Sequence, residues 1–159
     1  MSRKLGCFLL FASLAFAQVT PPEKFFGFRL GSDRKIARWD RIVEYYRLLE
    51  KESQGRLKVV DMGPSTMGNP FLLVIVSSAE NQGKLERLRQ VNLAISDPRG
   101  RTEQEVRRLV GEGKAVICQT MSLHATEIGG TQMAPELAFD LLNRNDEETR
   151  RILDNTILL

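Results

Sequence analysis

The residues best suited to chemistry are His124 and Glu127, which lie three positions apart in a polar stretch of the chain. In a turn of helical pitch, residues at positions i and i+3 lie on the same side, so the imidazole and the carboxylate can converge on one ion. Histidine nitrogen and glutamate oxygen are both ordinary zinc ligands. Because this spacing also arises by chance, the alternative is a partly buried histidine with Glu127 as its hydrogen-bond partner.

The elements around this pair favour a ligand site. Residues 114–121 are a continuous apolar run, which predicts a strand buried on both faces of a sheet. The pair follows the carboxyl end of that strand, where open α/β sheets place their ligands. A helix is expected from about Thr131 to Asn143. Cys118, inside the apolar run, is expected to be a small buried hydrophobic residue rather than a reactive thiol.

The rest of the chain indicates one continuous α/β region. Apolar segments at residues 57–62 and 71–76 flank a turn rich in glycine and proline, which is the pattern of a β-hairpin. Another buried strand is expected to begin at residue 157. Helical spacing and a Thr102–Glu105 capping box predict helices at residues 33–53, 81–95 and 102–110. An aromatic cluster is expected to pack on the domain, and it consists of Phe25, Phe26 and Phe28.

The first 17 residues are typical of a signal peptide. Arg3 and Lys4 precede an apolar run that ends in Ala15-Phe16-Ala17, the small-x-small form that signal peptidase recognises. The run is too short to span a bilayer of about 30 Å, although a core helix or membrane anchor is the alternative. Cleavage leaves 21 basic residues against 20 acidic ones. The mature protein is therefore expected to be secreted or periplasmic, with no membrane attachment and no charge suited to nucleic acid.

Two separate stretches resemble the M14 zinc carboxypeptidases, which are carboxypeptidase A-like metallopeptidases. Residues 115–142 are similar to the family's H-x-x-E zinc signature, in which a buried strand leads to the histidine and glutamate and then to a helix. The resemblance extends from about Phe25 to Leu159, so residues 18–159 are expected to be the N-terminal portion of a catalytic domain. Residues 62–70 are similar to the family's hairpin motif, with these residues in register: Gly63, Ser65, Gly68 and Pro70.

The resemblance implies a partial mixed-sheet α/β fold with flanking helices, truncated at the C-terminus. It also implies that His124 and Glu127 are two of three Zn²⁺ ligands. The third ligand, the arginines that bind the substrate's terminal carboxylate, and the glutamate that acts as general base are expected beyond Leu159. Thr126 departs from the digestive-type members, which have arginine beside the glutamate, so a close substrate analogy with them does not follow.

The function implied is zinc-dependent hydrolysis of C-terminal residues from peptides or proteins. A catalytic zinc takes three protein ligands and a water, and the chain has one histidine. This chain alone is therefore expected to bind zinc weakly and to be inactive. One alternative is a zinc-dependent deacylase or amidohydrolase on the same fold. The other is a non-catalytic exported binding module in which His124 and Glu127 are structural. The sequence indicates no oligomeric state.

Overall fold

The computed structural model describes residues 19–159, which form a mixed four-stranded sheet with helices on both faces. The strands are β1 (Leu57–Pro64), β2 (Pro70–Val76), β3 (Ala115–Ile117) and β4 (Thr156–Leu158). Their order across the sheet is β1-β2-β4-β3. The pairs β1–β2 and β2–β4 are antiparallel, whereas β3–β4 is parallel. The predicted α/β class, mixed sheet and hairpin are therefore confirmed.

Seven helices accompany the strands in the described residues. Two precede the sheet, two follow the hairpin, and the others lie before β3, between β3 and β4, and directly before β4. In chain order they are α1 (Pro22–Phe26), α2 (Trp39–Glu52), α3 (Ala79–Gln82), α4 (Leu85–Ser96), α5 (Glu103–Glu112), α6 (Ile128–Asn143) and α7 (Glu147–Asn155). No helix in residues 19–159 is both long enough and apolar enough to cross a membrane.

Two apolar clusters pack on the two faces of the sheet, because successive side chains of a strand point to opposite faces. The larger cluster joins α2 and α6 to β1 and β2, and Tyr45 and Leu49 lie at its centre with no exposed surface. The smaller cluster joins α4 to the other face through Leu88, Ile75 and Ile157. The loop between β3 and α6 is thereby fixed at one end by the sheet and at the other by the larger core.

The aromatic cluster near the N-terminus packs on the domain, as predicted. The Phe25 and Phe26 rings lie 5.0 Å and 5.3 Å from the Tyr45 ring, measured between centroids. Thr20 extends this attachment, since its backbone N–H donates to Glu52 at 2.7 Å. The predicted signal peptide, residues 1–17, lies outside the described residues and stays a prediction.

The first predicted helix begins six residues later than expected, at Trp39 instead of Asp33. Arg34 has a left-handed φ of 57°, which no helix interior accommodates. Ser32 does not cap a helix, because its hydroxyl donates to the Arg29 carbonyl oxygen at 2.6 Å. Ile36 consequently lies in a loop and is 62% exposed rather than in the core.

The helix predicted over residues 81–95 is divided into α3 and α4. Ser78 caps the amino end of α3, and Gly83 follows its last residue. Asn81 is buried and directs its amide toward Ser77 and the end of α7 instead of continuing a helical face. The capping box of Thr102 and Glu105 is confirmed, since each side chain accepts from the other's backbone N–H.

The prediction of a long buried strand at residues 114–121 is wrong. Regular pairing covers only β3, and Val116 and Ile117 are each 49% exposed. β3 is exposed because it lies at the edge of the sheet in the described residues, where it pairs with β4 alone. Cys118, expected to be buried, is an exposed free thiol.

Candidate metal centre

His124 and Glu127 lie in the loop that connects β3 to α6. Glu127 is the residue immediately before α6, and it has a non-helical φ of −87° and ψ of 52°. The helix begins at Ile128, three residues earlier than predicted. Both candidate ligands are exposed to solvent. The structure therefore confirms that the pair follows a strand and precedes a helix. His124 is exposed rather than partly buried, although Glu127 is its hydrogen-bond partner through the backbone, as the alternative hypothesis expected.

The carboxylate of Glu127 folds back over the loop and accepts hydrogen bonds from its backbone. Oε2 accepts from the N–H of Leu123 at 3.0 Å and from the N–H of His124 at 3.1 Å. These donors favour the charged form and hold the pKa of Glu127 below its usual range, with a smaller contribution from the Ser122 hydroxyl. The carboxylate is thus fixed in position and ionised at neutral pH, as a cation ligand must be.

The backbone of the loop closes on itself around the same two residues. The N–H of Glu127 donates to the His124 carbonyl oxygen at 3.0 Å. That oxygen also accepts from the Ser122 hydroxyl at 3.0 Å. The structure therefore joins the two residues through the Glu127 carboxylate and the backbone groups of His124. The convergence of the imidazole and the carboxylate on one ion stays a prediction. The sequence does not predict this hydrogen bond of Ser122, because serine is common in polar loops and no motif marks this one.

Gly130 allows the loop and the chain after β3 to approach closely. A side chain at this position would overlap the backbone carbonyl oxygen of Met121, whereas one at Gly129 would meet nothing within 4 Å. The sequence shows two adjacent glycines but does not indicate that only the second is required. Gly130 thus holds the start of α6 against the segment that leads into His124.

The donor chemistry of this loop suits zinc, but the donors are too few. An imidazole and an ionised carboxylate are normal zinc ligands, and a catalytic site needs a third from the protein. Residues 19–159 contain no group of three or more His, Cys, Asp or Glu side chains placed to hold a metal ion. The exposed thiol of Cys118 is not part of such a group. The pair therefore supplies two donors of the kind that zinc binds, and no catalytic step follows from these residues alone.

The comparison with protein families agrees with this geometry. The model of the zinc carboxypeptidase family, peptidase M14, matches residues 42–159, well over half of the chain. This match includes the hairpin, β3, the loop of His124 and Glu127, and α6. The chain therefore belongs to the zinc carboxypeptidase family, whose members are zinc enzymes that hydrolyse peptides. Searches of curated proteins and of solved structures give no match.

Proposed function

We propose that the function of this protein is zinc-dependent hydrolysis of the C-terminal residues of peptides, with His124 and Glu127 as two of the zinc ligands. The observation that carries this proposal is the family match across the loop that holds both residues. It is supported by the ionised carboxylate of Glu127, which backbone donors keep in place at the amino end of α6.

Each part of the loop has a definite task in this proposal. Zinc, when bound, polarises the scissile carbonyl and lowers the pKa of a bound water to about 7. Glu127 supplies a negative charge that the N–H groups of Leu123 and His124 already stabilise and hold in place. Ser122 fixes the backbone of His124 by donating to its carbonyl oxygen. The described residues do not supply the third ligand, and no general base is assigned among them.

A zinc titration tests this proposal, with binding followed by NMR at the imidazole of His124. Because the chain has a single histidine, its side-chain NMR signals belong to His124 and need no assignment. We expect saturable shifts of these signals with a Kd weaker than about 1 μM, since two ligands bind less tightly than three. Glu127→Gln is expected to weaken the binding by about tenfold or more, because it removes the anionic ligand.

Glu147→Gln is the matched control, since Glu147 is an exposed glutamate in the first turn of α7. It is expected to leave the zinc affinity unchanged. Zinc shifts that are equal in Glu127→Gln and in the unmodified chain would contradict the assignment of the carboxylate. Absence of any zinc effect on His124 would favour the alternative of a non-catalytic binding module.

A further inference from the structure

The outer edge of β1 carries backbone groups that point away from the rest of the sheet. β1 is the first strand in the sheet order, and among the described residues it pairs with β2. The Ser77 N–H donates to the Arg56 carbonyl oxygen at 3.0 Å, directly before the first pair of the β1–β2 register. Because backbone direction alternates along an antiparallel strand, Leu57, Val59 and Asp61 turn their N–H and C=O groups away from β2. Such an edge is a template for another strand.

Two side chains of α2 bond both outward backbone groups of Val59. The Glu50 carboxylate accepts from the Val59 N–H at 2.8 Å, and the Arg47 guanidinium donates to the Val59 carbonyl oxygen at 3.1 Å. Arg47 Nη1 and Glu50 Oε2 lie 3.4 Å apart. A neighbouring antiparallel strand would present the same combination, one acceptor beside one donor. Arg47 and Glu50, hereafter the edge clamp, therefore take the place of a strand at Val59.

The edge clamp differs from the other ion pairs of the described residues. Those pairs link side chains on the surface, as Glu86 and Arg89 do at 2.9 Å on α4. In the edge clamp both side chains also bond the backbone of a strand. An exposed ion pair adds little to stability by itself. The bonds to Val59 therefore point to a role at the strand edge.

The other outward residues of β1 are closed to pairing by different means. The Leu57 N–H donates to the Ser53 hydroxyl oxygen at 3.1 Å. Asp61 places an exposed charge on the edge, and the register shifts between Asp61 and Pro64. Charges and irregularities of this kind hinder strand addition. Val59 is thus the position in the middle of the edge at which the edge clamp decides whether another strand can pair.

We propose that the edge clamp prevents β1 from pairing with the β1 edge of a second copy of this chain. Antiparallel pairing centred on Val59 would bring the N–H of one copy to the carbonyl oxygen of the other. It would place Asp61 opposite Leu57, so no like charges would face each other. The two edges are therefore complementary once the backbone of Val59 is released. This role is independent of zinc and of the proposed peptidase reaction.

Arg47→Ala/Glu50→Ala removes the edge clamp and tests the proposal. We expect this variant to associate about tenfold more strongly than the unmodified chain, or more, in sedimentation velocity at a series of concentrations. Glu86→Ala/Arg89→Ala is the matched control, since it removes the same two charges from a pair on α4. The control is expected to sediment as the unmodified chain does. Unchanged sedimentation of the first variant, or equal association of both, would overturn the proposal.

Glu50→Gln separates the hydrogen bond from the charge. Its amide oxygen can still accept from the Val59 N–H, so this variant is expected to associate no more than the unmodified chain. Association as strong as that of Arg47→Ala/Glu50→Ala would make the lost charge the cause and contradict the proposal. Far-ultraviolet circular dichroism checks that every variant folds.

Hydrogen exchange at the Val59 N–H locates the association and also tests the unmodified chain. There we expect Val59 to exchange about tenfold more slowly than Asp61, or more, because Glu50 accepts from the Val59 N–H. In Arg47→Ala/Glu50→Ala we expect fast exchange at low protein concentration and slower exchange as the copies associate. Equal exchange of Val59 and Asp61 in the unmodified chain would overturn the proposal even if the variant did not fold. Association that leaves the exchange of Val59 unchanged would place the contact elsewhere and also contradict it.

Discussion

The Glu127 carboxylate organises the loop before any metal binds. By accepting from the Leu123 and His124 N–H groups, it satisfies donors that the short turn leaves without helical partners. The same bonds lower its pKa, so the group is charged and held in place at neutral pH. A ligand that is already ordered loses less conformational entropy when it binds a cation. One side chain thus serves both the local fold and the proposed metal site.

Gly130 lies too close to the chain after β3 to accept a side chain without a loss of stability. Gly130→Ala is expected to lower the free energy of unfolding by about 1–3 kcal/mol, because its methyl group would overlap the Met121 carbonyl oxygen. Gly129→Ala is the control in the same helical turn and is expected to be neutral or to stabilise by up to about 1 kcal/mol. Urea denaturation measures both. Equal stability of the two variants would show that the close approach does not constrain the loop.

Asn81 connects α3 to the end of α7 by hydrogen bonds. Because β4 follows α7 directly, these bonds also help to fix the position of β4. Its amide Nδ2 donates to the Ser77 hydroxyl at 3.0 Å, to the Leu153 carbonyl oxygen at 3.0 Å and to the Asp154 carbonyl oxygen at 3.1 Å. Asn81→Ala is expected to lower the free energy of unfolding by about 1–3 kcal/mol, since these acceptors at the end of α7 lose one of their buried donors.

The control for this variant is Asn155→Ala, which removes an exposed amide that donates to the Arg151 carbonyl oxygen at 2.8 Å. This change is expected to alter the free energy of unfolding by no more than about 0.5 kcal/mol. Chemical denaturation of both proteins distinguishes them. If Asn155→Ala lowered the free energy of unfolding as much as Asn81→Ala does, burial of the Asn81 amide would not explain its effect on stability.

Asp146 caps α7 and gives a pH-dependent contribution to stability. Its carboxylate accepts from the Thr149 N–H at 2.8 Å, and this bond is the largest cause of its lowered pKa. A carboxyl group with a lower pKa in the folded state stabilises the protein above its unfolded pKa, and this contribution is lost as the pH falls through the folded pKa.

Asp146→Asn retains a side-chain cap but does not titrate. The stability difference between the unmodified chain and this variant is therefore expected to change as the pH falls from about 7 to about 2. The unmodified chain loses the larger share of its stability over this interval. Urea denaturation at several pH values measures the difference, and parallel pH curves would refute the contribution of Asp146.

The elements that the sequence predicts well are those whose signals are local. The hairpin follows from two apolar runs around a glycine-rich turn, and the capping box follows from Thr102 and Glu105 alone. Tertiary placement decides the elements that it predicts badly. The apolar run containing Val116 and Ile117 has the pattern of a central strand, but it lies at the edge of the described sheet. The sequence predicts the candidate ligands by type and spacing, but it does not show that the Glu127 carboxylate binds backbone N–H groups.

The sheet and the larger core together position the candidate metal site. The chain that leaves β3 passes through residues 119–122 and then enters the loop of His124. α6 begins immediately after Glu127 and packs into the larger core through Ala138 and Leu142. The loop is therefore held at its start by the pairing of β3 with β4 and at its end by α6.

The 159-residue chain with added zinc is expected to show no peptidase activity. Since residues 19–159 contain no group of three potential ligands, zinc bound at His124 and Glu127 has no complete protein site to orient it or its water. We expect the release of C-terminal residues from an N-blocked peptide to equal that in a zinc-only blank, as measured by chromatography of the products. Hydrolysis above the blank that disappears in His124→Ala would overturn this expectation, because it would show that this loop completes a working metal site within the chain.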